Sequence, residues 1–130
     1  MAQPSIVPMA KSLYVCDGTI GFPDQKTDIM GLFNAITPPR YPYVHPQFVA
    51  FAQLCDGLGR VPFYFDVRLA STGELVHTTL PPRFLNFAHR DQVVQLSFTV
   101  YDCPFAQPGI YLVELFCDAQ WVADTKLELL

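Results

Sequence analysis

The sequence predicts an all-β fold, an antiparallel β-sandwich of seven or eight strands. Between the prolines and glycines that punctuate the chain, apolar residues recur with a period of two, and no segment keeps a 3.6-residue period over three turns. Hydrophobic residues make up 51% and charged residues 15% of the 130-residue chain. That balance supplies a core and excludes disorder for most of the chain. Residues 1–130 read as one sandwich domain, with 1–9 as a poorly packed N-terminal segment broken by Pro4 and Pro8. A small closed barrel is the competing architecture.

The elements follow in order. Residues 10–17 and 28–36 form two strands around a polar loop, and the proline-rich stretch 36–46 is a crossing loop that cannot donate a full ladder. Residues 47–55 form a third strand. In VPFYFDVRLA, Phe63, Phe65, Val67 and Leu69 share a buried face, with Tyr64, Asp66 and Arg68 opposite. A short strand follows over 74–80. Residues 81–91 are a long connection, with a candidate helical turn in RFLNFAHRD. The strand of QVVQLSFTVYD buries Val94, Leu96, Phe98 and Val100. GIYLVELFCD buries Tyr111, Val113, Leu115 and Cys117. WVADTKLELL turns Leu127 and Leu129 inward and Asp124, Lys126 and Glu128 outward.

Charge and cysteine usage narrow the partners. The net charge is −4 and the eight basic residues are scattered singly, so no phosphate-tracking surface for nucleic acid is expected. No apolar run of about 18 residues exists to span a membrane. The N-terminus lacks the basic and apolar regions of a secretory leader, which places the protein in the cytoplasm as an expectation. Cys16, Cys55, Cys103 and Cys117 are widely spaced without a CxxC pair, and the expectation is four reduced thiols and no cofactor.

No spacing makes reactive groups cooperate. His45, His77 and His89 fall in unrelated segments, and there is no GxSxG elbow, phosphate loop or HExxH. A non-enzymatic domain is therefore expected. An enzyme would need a site assembled from His89, Asp91 and the Cys-Asp strand ends.

Two surfaces remain as candidates. Cys-Asp occurs at Cys16–Asp17, Cys55–Asp56 and Cys117–Asp118, each time where an apolar strand stops. If successive strands alternate in direction, Asp17, Asp56, Asp91 and Asp118 share one end, where loop carboxylates would suit a hard cation such as Ca²⁺. The bland alternative is that aspartate simply favours turns. The second surface is aromatic. Phe51, Tyr64, Tyr101 and Phe116 point away from the core of their own strands, and exposed aromatics mark protein interfaces.

The segments CDG (16–18), GLF (31–33), LCDGLGR (54–60) and PGIYLVEL (108–115) give the chain a further character. From about Leu13 to Leu130 it resembles a family of uncharacterised bacterial proteins of about this length, known as a domain of unknown function. The resemblance implies an immunoglobulin-like β-sandwich and carries no activity or functional residue. The expected function is a protein-interaction or structural adaptor domain, binding a partner or itself through an outer sheet face. The alternative is a small-ligand or calcium module on the Asp-bearing loops.

Overall fold

The computed structural model describes residues 4–130. Ten strands cover most of that length: β1 (Met9–Gly21), β2 (Thr27–Leu32), β3 (Ala35–Ile36), β4 (Tyr43–Cys55), β5 (Gly59–Leu69), β6 (Leu75–Thr78), β7 (Arg83–Phe87), β8 (Val94–Phe105), β9 (Gly109–Cys117) and β10 (Gln120–Leu129). They build a two-layer all-β sandwich. One sheet has the order β2-β1-β4-β8; the other runs β3-β10-β9-β5-β6, with β7 also pairing β5. All pairings are antiparallel except β3 with β10. No helix among the described residues is long and apolar enough to cross a membrane.

The core lies between the sheets and follows the predicted alternation. Phe63, Phe65, Val67 and Leu69 of β5, and Tyr111, Val113, Leu115 and Cys117 of β9, are all buried. They meet Phe48, Ala50, Ala52 and Leu54 of β4 and Leu96 and Val100 of β8. Phe63 and Phe65 each set a ring against Phe98 of the opposite sheet, at 5.6 Å between centroids. Such pairs add about 1 kcal/mol each to what area burial supplies.

Four segments differ from the sequence expectation. The predicted polar loop after Asp17 is shorter, since β1 runs on to Gly21 and pairs β2 back from Thr27, leaving residues 22–26 as the turn. Residues 28–36 split, with β2 in one sheet and β3 in the other. Residues 43–46 belong to β4, and its ladder with β8 skips Pro46, which has no N–H to donate. The long connection 81–91 contains β7, in which Leu85 and Phe87 alternate into the core against β5. The leading segment is also better packed than expected: Ile6 exchanges both backbone hydrogen bonds with Leu58, and Pro8 is buried. Proline removes a ladder donor and leaves side-chain burial intact. Residues 1–3 of that segment lie outside the described residues.

The first half of β1 is a strand of the sandwich, with Leu13 and Val15 in the core, while its second half and β2 form an arm. β1 pairs β4 from Met9↔Cys55 to Cys16↔Val49 and then leaves it. Its continuation crosses the outward side of the four-stranded sheet. There Thr19 Oγ1 bonds Ser97 Oγ at 2.9 Å and Thr27 Oγ1 bonds Gln95 Oε1, both on β8. Gly31, at φ +63°, makes the close crossing possible, since a Cβ there would collide with the Asp17 carboxylate.

Candidate functional site

The four predicted interface aromatics separate into two pairs. Tyr64 and Phe116 stand side by side on the outward face of the six-stranded sheet, paired in register and stacked at 5.1 Å with an interplanar angle of 8°. Phe51 and Tyr101 belong to the other sheet. Phe51 is a correction: it points outward as expected but is only 7% exposed. Its cross-strand neighbours are Tyr14 and Ser97, and Ser97 is the residue that Thr19 of the arm grips. The chain's own arm covers it. Tyr101, opposite Gln47, lies beyond the arm and stays exposed.

The outward face of the six-stranded sheet is organised in cross-strand rows. The first is aromatic: Trp121, Phe116 and Tyr64 lie in register on β10, β9 and β5. Trp121 is 57% exposed and is the chain's single tryptophan. A register shift between Trp121 and Ala123 turns the indole outward. Beside this row, the Arg60 guanidinium lies 3.7 Å over the ring of Phe84, a cation–π contact.

The second row is acidic. Thr78, Asp66, Glu114 and Asp124 are in register across β6, β5, β9 and β10. Arg68 bridges two of the carboxylates, through Nε to Glu114 Oε1 at 2.8 Å and through an Nη to Asp66 Oδ2 at 3.3 Å. Asp66 is only 5% exposed, and its Oδ1 has no hydrogen-bond donor. A carboxylate oxygen enclosed without a donor is costly. Sequence reasoning placed Tyr64, Asp66 and Arg68 on one face but missed Trp121, because strict alternation from Asp124 assigns the indole to the core side.

A groove of about 930 Å³ lies at the tip of the arm, between Phe22, Lys26 and Thr27 on one side and His89, Gln92 and Gln95 on the other. Gln92 Oε1 accepts from the Ala88 N–H at 2.7 Å, which fixes the 88–92 turn.

The aspartates do not gather. Asp56, Asp91 and Asp118 share an end: Arg90 Nε bonds the Asp56 carbonyl, and the Asp118 N–H bonds the Pro62 carbonyl. Asp17 is not with them: β1 starts beside Cys55, runs antiparallel to β4 and carries Asp17 past Val49, midway along β4. The alternating count fails because the arm returns the chain at Phe33 to the end it left. Among the described residues, no three His, Cys, Asp or Glu side chains lie where they could hold a metal ion. Asp56 and Asp118 have positive φ of 61° and 51°, as their turns require, whereas Asp17 stays within β1.

Among the thiols and histidines of the described residues, His45 and Cys103 are cross-strand partners on β4 and β8. Burial pushes the Cys103 and Cys117 thiols up to about 12. Burial also raises Cys16, opposed by a backbone hydrogen bond at Gly18 and helped by the Asp17 charge. Among the described residues all four cysteines are free. Burial lowers His45 and His77. His45 packs between Phe33, Tyr43 and Phe48, while His89 is exposed at the groove.

Comparison with known proteins agrees on the family. The model of a family of unknown function (DUF6941) matches residues 11–130. No curated protein matches the chain. Among solved structures, Pseudomonas fluorescens alkylpurine DNA glycosylase AlkC, bound to DNA containing an abasic site analogue, is similar over 90% of this chain with a TM-score of 0.50 and 11% identity. The chain spans only 30% of that protein's length, and a likeness at this identity is one of fold alone.

Proposed function

The chain belongs to that family of unknown function, and on this footing we propose that it is a non-enzymatic protein-interaction domain that docks a partner on the outward face of its six-stranded sheet. The observation that supports this is the open aromatic row of Trp121, Phe116 and Tyr64 beside the Asp66–Arg68–Glu114 ion cluster. An outward sheet face is normally solvated and polar. Aromatic anchors next to charged pairs are instead the composition of interface hot spots. The finer fold assignment, immunoglobulin-like, belongs to the same proposal. It is supported by the strand orders β1-β4-β8 and β10-β9-β5, which correspond to A-B-E and G-F-C of that architecture. A cytoplasmic location goes with it, consistent with the half-buried or buried free thiols.

The test is affinity purification of tagged protein from its own host, wild type beside Trp121→Ser. The reading expects a stoichiometric partner held by wild type and lost from a folded Trp121→Ser variant. Equal capture by both would refute this face as the docking surface.

A second reading, small-ligand binding, is favoured by the groove between the arm and residues 88–95. Its lining mixes glutamine amides with Phe22 and Val93, a balance suited to a polar organic ligand.

A further inference from the structure

We propose that the outward face of the six-stranded sheet recognises arginine side chains of a basic partner segment. The inference rests on the docking reading above and adds the chemistry of what docks.

Charge on the face is unevenly met. Asp66, Glu114 and Asp124 stand in one row across three adjacent strands. A single guanidinium, that of Arg68, serves the first two. Among the described residues no cation lies within ion-pair distance of Asp124 or of Glu128; Lys126 stands between them on the same strand face and pairs with neither. Asp66 is 95% buried yet leaves Oδ1 without a donor. The row thus has more acceptors than its own donors fill.

The aromatic row lies one pleat away. Trp121 and Phe116 are in register, and on β9 Phe116 is two residues from Glu114. Same-face neighbours on a strand are about 7 Å apart, the length over which an arginine stem spreads. A guanidinium arriving there sets its apolar stem and planar head against the indole and its N–H groups against Glu114 and Asp124. The same sheet face already shows both halves of this recognition with the chain's own arginines. Arg60 lies flat over Phe84 and Arg68 forks between two carboxylates. Lysine, a compact and strongly hydrated charge, matches the stacked half less well.

Trp121 is the only tryptophan, so the full-length protein reports on its own site. Its emission is titrated with a short blocked peptide alternating threonine and arginine. Parallel titrations use the glutamate counterpart, the lysine counterpart and maltohexaose. The proposal expects a saturable change with the arginine peptide, severalfold weaker binding of the lysine peptide and none of the glutamate peptide. Raising salt from low to physiological strength weakens binding severalfold. Asp124→Asn, an exposed change that spares the fold, weakens it roughly threefold. No saturable change with the arginine peptide, equal binding of the glutamate peptide, or saturation by the sugar overturns the proposal. If partner capture still depends on Trp121 when the arginine peptide fails, the docking face stands and only its chemistry is wrong. If both fail, both are wrong.

Discussion

Phe51 and Trp121 both project from the outward side of a sheet, yet the first is 7% exposed and the second 57%. The difference comes from connectivity. Between β1 and β2 the chain makes an arm that folds across the four-stranded sheet and hydrogen-bonds β8 through Thr19 and Thr27. Nothing in the described residues plays that part for the six-stranded sheet, where Trp121 stays exposed and Phe116 and Tyr64 are half-buried. An outward aromatic is therefore a packing residue beneath the arm and stays at the surface where no arm covers it, as Trp121 and Tyr101 do.

The largest effect expected from this contrast is on stability. Phe51→Ala removes a ring enclosed between sheet and arm and should cost about 3–5 kcal/mol, the range for buried phenylalanine. Trp121→Ala should change stability by about 0.5 kcal/mol or less, as surface substitutions do. Urea denaturation of the two variants checks the pair. Similar losses would mean that the two faces are covered alike.

The ion cluster comes next. Arg68→Ala leaves the carboxylates of Asp66 and Glu114 facing each other without their cation. Removing one partner of a buried ion pair costs about 3–5 kcal/mol, and solvent contact at Arg68 reduces that to about 2 kcal/mol. Replacing all three with apolar residues of similar size should recover most of the loss in the same denaturation assay. It would also abolish partner capture.

The pH dependence is milder. Cys103 and Cys117, raised by burial from 9.0 to about 12, bind protons more tightly when folded. Their contribution is complete below pH 9 and is lost as pH rises from 9 toward 12, by about 1.4 kcal/mol per pH unit and thiol. His45 and His77, lowered by burial from 6.5, act in the opposite sense. Their contribution is present above pH 6.5 and is lost as pH falls below it. Thermal melts should give a stability plateau between these limits. The smallest effect concerns calcium: millimolar calcium against chelator should leave the melting temperature unchanged, because Asp17 lies midway along β4, away from Asp56, Asp91 and Asp118.

The strands from residue 61 onward were legible because each keeps one wet and one buried face, so alternation reports the side directly. β7 escaped because it is five residues long and follows two prolines. The arm escaped for a different reason. Its residues alternate weakly, and a crossing over the outside of a sheet leaves no periodic trace. Half of the proposed docking face was visible, in the outward Tyr64, Asp66, Arg68 and Phe116. Trp121 was hidden by a one-residue bulge, which inverts the face of every residue before it.

Collisional quenching of Trp121 emission by acrylamide tests most directly whether this face is open and used. The account predicts efficient quenching in the free protein and strong protection once the captured partner is bound. An indole already shielded in the free protein, or one equally quenched in the complex, would contradict it.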